Sequence, residues 1–237
     1  SSDTQGSNSV AVGRGTLFAQ NQSSATDAFN TAVGADAGNQ VTTGVQNTLV
    51  GGLAGDAITT ASNNTAIGYN ALTANTTGAG NTVIGHRAGE ANTTAANNVF
   101  IGKEAGLVNT TGTSNVAVGR DALVSNTTAN NNTAVGYQAG YSNVTGAENT
   151  FIGRVAGYST TNSYNVAVGD AALYTNSSGG SNTAVGKSAL QSNTTASNNT
   201  AVGYQALLDN TTGVRNSAYG DNSLANNTTA NNNNAFG

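Results

Sequence analysis

Four residue types are missing from this 237-residue sequence: cysteine, proline, methionine and tryptophan. Without cysteine, the chain has no disulfide scaffold and no thiolate metal site. Charged residues make up only 8%, and seven Lys and Arg against eleven Asp and Glu exclude a strongly basic nucleic-acid binder. No apolar run approaches the roughly 20 residues of a membrane-spanning helix. We therefore expect neither a nucleic-acid partner nor membrane insertion.

The residues that dominate the sequence are Gly, Asn, Thr and Ala, with 31 glycines. Gly, Asn and Thr are poor helix formers, so their abundance predicts an all-β chain. Low charge with many polar residues is otherwise typical of disorder, and only a strong periodic pattern argues against it. The chain begins Ser1-Ser2-Asp3 rather than with Met, which predicts a processed or trimmed product.

Such a pattern is present as an internal repeat marked by a glycine after an apolar residue. The spacing between these glycines is mostly 17 residues, with one spacing of 21 and one of 16. We call each unit a rung and number its positions from this glycine as position 0. The sequence therefore predicts one repeat domain spanning residues 1–237. The glycines are Gly13, Gly34, Gly51, Gly68, Gly85, Gly102, Gly119, Gly136, Gly153, Gly169, Gly186, Gly203, Gly220 and Gly237.

Four columns of the repeat carry simple predictions. Position −1 is apolar in every rung and mostly β-branched, as in Val33 and Ile67, which predicts a buried strand. Position +3 is nearly always Ala, which predicts a tightly packed interior column. Positions +1 and +2 hold most of the charges and much of the Tyr, which predicts the solvent face.

Two columns of asparagine predict corners. Asn tolerates turn geometry and bonds nearby backbone, and stacked amides can form a ladder. The column at −4 contains Asn30, Asn47, Asn64, Asn81, Asn98, Asn115, Asn132, Asn149, Asn165, Asn182, Asn199, Asn216 and Asn233. The column at +7 contains Asn75, Asn92, Asn109, Asn126, Asn143, Asn176, Asn193, Asn210 and Asn227.

Positions −2 and +4 compensate in volume. A large residue at −2 occurs with Gly at +4, as in Phe100 with Gly106, whereas Ala at −2 usually occurs with Leu. Rungs with Ala32/Gly38 and Ala134/Gly140 break this rule. Because close-packed interiors hold volume nearly constant, we infer that −2 and +4 share one buried space.

The predicted fold is all-β: a parallel β-solenoid (β-roll) of about fourteen 17-residue rungs with Asn ladders at the corners. Each rung has a strand of about 7 residues, a corner, a short return and a second corner, and fourteen rungs make a rod roughly 65 Å long. Apolar residues at both −2 and −1 predict that both faces of the strand are covered. One face lines the coil, and the other meets a second surface such as a partner chain.

The chain resembles phage-type tail fibres and related bacterial surface proteins in the strings Asn132-Thr-Ala-Val-Gly-Tyr-Gln-Ala and Asn199-Thr-Ala-Val-Gly-Tyr-Gln-Ala-Leu. More distantly, Asn8-Ser-Val-Ala-Val-Gly13 is similar to the head repeats of trimeric autotransporter adhesins, which are parallel β-rolls. The resemblance implies an extracellular, virion or cell-surface fibre, often a homotrimer. It also implies cell-surface glycans as binding partners.

No catalytic constellation emerges from the sequence. The single His, His86, falls in the solvent-facing column, and one His makes neither a triad nor a metal site. The neighbours Lys103-Glu104 and Arg120-Asp121 predict surface charge pairs. We expect no enzyme activity, no cofactor and no metal.

The nine asparagines of the +7 column all begin N-x-[ST] sequons. They therefore predict either corner chemistry, with Asn for the turn and Thr for the strand, or a row of glycans. The threonines at +8 and +9, such as Thr76 and Thr77, raise a third function, because regular Thr rows on a solenoid can match ice.

The chain ends predict head-to-tail assembly. Solenoid ends normally carry an atypical cap over their strand edges, whereas here the last rung stops at position 0. Two copies joined end to end keep the repeat, since Gly237 and Gly34 of the next copy are then two 17-residue units apart. We expect a homopolymer that stacks through its ends; the alternative is a fragment trimmed from a longer fibre. The predicted assembly residues are Ser1, Ser2, Asn8, Asn233, Ala235, Phe236 and Gly237.

Overall fold

A computed structural model describes residues 8–22 and 27–237. The described residues contain no helix and fourteen strands of three residues each. The strands are β1 (Val10–Val12), β2 (Thr31–Val33), β3 (Thr48–Val50), β4 (Thr65–Ile67), β5 (Thr82–Ile84), β6 (Val99–Ile101), β7 (Val116–Val118), β8 (Thr133–Val135), β9 (Thr150–Ile152), β10 (Val166–Val168), β11 (Thr183–Val185), β12 (Thr200–Val202), β13 (Ser217–Tyr219) and β14 (Asn234–Phe236).

The chain divides into two compact units, Ser1–Asn115 and Val116–Gly237. In the first unit β1 to β6 pair in chain order, and in the second β7 to β14 do the same; every pair is parallel. The register is one whole rung, as in Thr65 against Thr82, so equivalent positions stack directly. The predicted parallel β-solenoid is confirmed. That residues 1–237 form a single domain stays a prediction.

The strands are shorter than the roughly seven residues we expected. In each rung the backbone leaves the extended region at four places, illustrated by Asn63 (φ +63°), Gly68 (φ +137°), Asn70 (φ +55°) and Leu72 (φ +57°). Positive φ is incompatible with a strand. The chain therefore turns tightly from position 0 to +6 and reaches the next strand through separate bends.

Glycine at position 0 is required by how closely the coils approach. A Cβ on Gly68 would lie 2.5 Å from the carbonyl oxygen of Gly85 in the next rung, and Gly13 and Gly34 stand in the same relation. A φ near +137° is also a conformation that only glycine adopts readily. The same contact recurs through each unit, so the repeat marker is a site of backbone packing.

The strand face that lines the coil is set by position −2, not by position −1. Ala32 and Ala66 at −2 are fully buried, whereas Val33 and Ile67 at −1 are each 37% exposed. The sequence left open which of these two apolar columns lines the coil, and the structure places −2 inside, because alternate strand residues point to opposite faces. That a second surface covers the outer face stays a prediction.

The interior is thin and built mostly from alanine. The predicted +3 column is confirmed, since Ala54, Ala105 and Ala189 are fully buried, as are its other alanines from Ala37 to Ala206. Leu at +4, such as Leu72 and Leu190, fills the remaining space and is also fully buried.

The inferred −2/+4 compensation is confirmed by direct contact. A Cβ on Gly106 would lie 2.7 Å from the Phe100 ring of its own rung. One on Gly89, in the preceding rung, would lie 3.0 Å from the same ring. A large residue at −2 therefore occupies space above two successive +4 positions.

This geometry explains both exceptions to the rule. A Cβ on Gly38 would lie 2.6 Å from Leu49, and one on Gly140 would lie 2.7 Å from Phe151. In each case the large residue belongs to the next rung. Glycine at these two positions thus makes room for a neighbour rather than for its own rung.

Candidate functional site

The −4 asparagines form a continuous ladder inside each unit. The backbone N–H of Asn81 and its side-chain Nδ2 both donate to Oδ1 of Asn64, at 3.0 and 3.1 Å. Its Nδ2 also donates to the carbonyl oxygen of Ala95 at 2.9 Å. Asn98 repeats this arrangement on Asn81. The predicted Asn ladder is confirmed, and each amide joins its own rung to its neighbours.

The +7 asparagines close the second corner locally. Nδ2 of Asn75 donates to the carbonyl oxygen of Gly78 at 2.9 Å, and the N–H of Gly78 donates back to Oδ1 of Asn75 at 3.1 Å. In the second unit the column also bonds between rungs, with Nδ2 of Asn193 on Oδ1 of Asn176 at 2.8 Å. A Cβ on Gly78, at position +10, would collide with the carbonyl oxygen of Ala95, which occupies the same position in the next rung.

The asparagines of the sequons therefore lie inside the fold. Eight of the nine asparagines are fully buried, and the ninth, Asn227, is half-buried. In Asn75, Asn92 and Asn210 the Nδ2 atom that a glycan would modify donates to a backbone carbonyl. This placement supports corner chemistry for the column.

The threonines at +8 also hold rungs together. The hydroxyl of Thr76 donates to the carbonyl oxygen of Thr93 at 3.2 Å, and that of Thr93 donates to Thr110 at 3.1 Å. Their N–H groups follow the same rung-to-rung path. Thr77, at +9, is exposed beside the bend.

A further surface is the outer face of the strands, which the sequence predicted would meet a second surface. In most rungs it carries Thr at −3 and Val or Ile at −1, as in Thr65 with Ile67 or Thr133 with Val135. None of the described strands contains a charged residue. The alternation around −2 was the signal for this surface, since residues two apart share a face. We call this surface the outer stripe.

The charged columns behave as surface features at +1 and as partly enclosed ones at +2. His86 and Lys103 at +1 are exposed, whereas Asp121 and Val155 at +2 are buried. The prediction of a solvent face therefore holds at +1 and was wrong for these two side chains at +2.

Ion pairs link neighbouring +1 and +2 residues. The predicted pairs Lys103–Glu104 and Arg120–Asp121 are present at 3.4 and 3.3 Å. The Arg154 guanidinium lies 2.9 Å from the Asp170 carboxylate in the next rung. Each pair has an exposed partner and contributes little stability individually.

Three tyrosines at +5 stack in the second unit. The Tyr141 and Tyr158 ring centroids are 4.9 Å apart, and those of Tyr158 and Tyr174 are 5.1 Å apart. Burial, together with the neighbouring tyrosines, raises the pKa of Tyr158 above its ordinary value of 10.0. A pKa raised in the folded chain means that Tyr158 favours folding while it is protonated, and this contribution is lost as the pH rises above about 10.

The predicted assembly residues divide between described and undescribed parts of the chain. Ser1 and Ser2 lie outside the described residues, and Asn8 is exposed. In the last rung, Nδ2 of Asn233 donates to Oδ1 of Asn216 at 3.2 Å. Phe236 is 81% exposed and stacks on Tyr219 with ring centroids 5.1 Å apart. Ala235 is half-buried and Gly237 is exposed.

Comparisons with known proteins give no match for this chain. No family model, curated protein or solved structure matches the chain. Within the described ranges, no three His, Asp or Glu side chains come together as metal ligands, and no helix is long and apolar enough to span a membrane.

Proposed function

We propose that this chain is a non-catalytic structural protein of an extracellular filament or fibre, which grows by end-to-end stacking of β-solenoid subunits. The observation that carries the proposal is the continuity of bonding along each unit. Backbone pairs, the −4 amides and the +8 hydroxyls all run from one rung to the next. Tension along such a coil is shared by many hydrogen bonds in parallel.

Periodicity supports stacking between copies. Each rung offers its neighbour the same donors and acceptors, for example Oδ1 of Asn199 for the N–H of Asn216. The rungs of β1 and β14 each have a described partner on one side, and the side chains of Val12 and Phe236 are 56% and 81% exposed. Another rung on either edge would cover part of each side chain, and we propose that a second copy supplies it.

Electron microscopy of the purified protein over a range of concentrations tests this assembly. We expect unbranched filaments with an axial repeat near about 65 Å, the rung spacing multiplied by the number of rungs. Discrete short rods at every concentration would overturn end-to-end stacking and favour a fragment of a longer fibre.

Gly237→Ala sharpens the test. A Cβ at Gly237 meets nothing within 4 Å in a single chain, yet at Gly68 and Gly153 a Cβ would lie 2.5 Å from the oxygen of the next position-0 glycine. The variant should fold normally and fail to form filaments. Thr229→Ala, on an exposed corner of the last rung, is the control and should assemble like the parent.

A second candidate, lateral packing into a homotrimeric shaft or head that binds a cell surface, is favoured by the outer stripe. Val135 is 36% exposed and Ile152 40% exposed on a face without charges. Contiguous apolar surface of this kind marks interaction sites. Two copies of the same stripe have the same period, so their side chains can interdigitate in register.

Lateral packing is tested by the mass of the particle in solution. Val135→Lys with Ile152→Lys places two charges on the outer stripe and should convert trimers into monomers in light scattering. Tyr204→Lys adds a charge at an exposed +1 position and should leave the mass unchanged. A monomeric parent protein would contradict this candidate. Thermal hysteresis, measured on the same samples, would instead indicate ice binding.

A further inference from the structure

The second unit has a groove that the repeat by itself does not require. Its volume is about 360 Å³. Its lining comes from three columns: Tyr137 and Arg154 at +1, Val155 and Ala171 at +2, and Tyr174 at +5, joined by Gln138 and Gln191. The groove lies wholly within the second unit and is separate from the outer stripe.

The groove exists because two successive rungs carry short side chains at +2. Val155 and Ala171 occupy a column that holds longer polar residues in several other rungs, such as Glu104, Gln138 and Gln205. The short side chains of Val155 and Ala171 form an apolar floor between the longer side chains around them. Interior columns alone would not select this change, since +3 and +4 are packed in the same way with either kind of residue.

Val155 adds a second sign of a specialised site. It is β-branched, 8% exposed, and held at φ +51°. This backbone region suits Asn and Asp far better than a β-branched residue, and such strain concentrates at binding sites. Asn70 and Asn222 occupy the equivalent position in other rungs, so the fold accepts a residue that is less strained at this φ than Val.

The aromatic side of the groove is the end of the tyrosine stack. The +5 column continues from Tyr174 to Gln191, so the stack stops where the groove lies. Tyr137, 43% exposed, contributes a second ring. Aromatic rings with an apolar floor bind flat, partly apolar ligand faces.

The polar side of the groove is nearly neutral. The Arg154 guanidinium is paired with the Asp170 carboxylate at 2.9 Å, and Gln138 and Gln191 add two carboxamides. These are planar groups with several donors and acceptors, suited to pairs of neighbouring hydroxyls. Because the cation already has its counterion, the site favours a neutral ligand over an anion.

We propose that this groove binds a neutral pyranose saccharide. A sugar ring has an apolar C–H face for the tyrosine rings and the Val155/Ala171 floor, and hydroxyls for the amides and the ion pair. The volume is at the small end of ligand pockets and suits one or two sugar rings. The proposal stands independently of end-to-end stacking, because no terminal residue takes part.

Saturation-transfer NMR with neutral oligosaccharides tests the site, using maltotriose, cellotriose, N-acetylglucosamine trimer and lactose as probes. Because the chain has eight Tyr and no Trp, tyrosine fluorescence gives a second readout. We expect saturation transfer from the protein to the C–H face of at least one probe. No saturation transfer to any of the four would overturn the proposal.

Two variants locate the binding. Ala171→Gln fills the groove with a residue that the same column accepts natively at nearly the same φ, as Gln205 shows (+53° against +56°). Tyr174→Leu removes the ring, and the +5 column holds Leu208 elsewhere. Each variant should fold and weaken binding tenfold or more.

Gln205→Ala is the matched control, because it alters the same column outside the groove. It should bind like the parent. Equal binding by Ala171→Gln and the parent protein would place the saccharide elsewhere and contradict the assignment.

Discussion

Single residues in this protein are chosen more by backbone geometry than by side-chain chemistry. Non-glycine residues with positive φ recur in every described rung, including Leu72, Leu190 and Val155. Leucine is tolerated at +4 because its side chain is fully buried in the interior. Glycine is required at position 0, where the next coil lies against the missing Cβ, and at +4 beside a large −2 side chain, as at Gly106.

Two adjacent glycines provide a residue-scale prediction. At Gly51 (φ +134°) a Cβ would collide with the carbonyl of Gly68, whereas at Gly52 the nearest atom to a Cβ is 3.5 Å away, on Tyr69. Gly51→Ala should lower the free energy of unfolding by at least about 2 kcal/mol. Gly52→Ala should change it by less than about 1 kcal/mol, in either direction.

Urea unfolding of both variants checks the pair. Equal effects from the two substitutions would show that the close approach of coils at position 0 does not limit stability.

At the scale of the element, a rung is packed only together with its neighbours. Phe151 lies over Gly140 of the preceding rung and against Gly157 of its own. Rungs with Ala at −2 hold Leu at +4 instead, as Ala184 and Leu190 do. Volume is thus conserved across pairs of rungs, and substitutions in adjacent rungs must couple.

A thermodynamic cycle measures this coupling. Phe151→Ala should destabilise the fold by about 3–5 kcal/mol through the cavity it leaves. Gly140→Leu with Gly157→Leu should destabilise it separately by overpacking against the ring. All three changes together reproduce the common Ala/Leu packing and should recover stability, with an interaction energy of at least about 1 kcal/mol. Additive effects in denaturant unfolding would contradict the shared space.

Over the whole chain, a repeat stabilised through neighbouring rungs should tolerate the loss of one complete rung. Deleting residues 183–199 joins Asn182 to Thr200 and keeps the asparagine and glycine columns in step. The interior also stays compatible, since Ala201 at −2 then follows Leu173 at +4. Deleting residues 183–190 instead shifts every later column out of register.

We expect the 17-residue deletion to fold cooperatively, with a urea m-value lower by about 7%, in proportion to the surface lost on shortening the chain. The 8-residue deletion should fold poorly or not at all. Circular dichroism and urea titration of the two proteins compare them directly. Similar stability for both would argue against a repeat held in register by its columns.

Much of this architecture follows from the sequence alone. A 17-residue period with glycine, asparagine and alanine columns predicted a parallel solenoid, its register and its ladder, because identical positions in a solenoid must stack on one another. The −2/+4 rule appeared in the sequence as well, since a conserved interior volume shows up as correlated residue sizes.

Tertiary structure decided which side of each column faces the interior. A strand reduced to three residues by positive-φ turns places Ala66 inside and Ile67 outside. Two adjacent apolar residues in the sequence do not by themselves show which of them faces the interior. The tertiary structure also placed Gly140 beneath Phe151. It buried the sequon asparagines at corners, where their side-chain amides hydrogen-bond to the backbone. The groove beside Tyr174 depended on it too, because a depression arises from side-chain lengths in neighbouring coils, which become adjacent only when the chain is wound.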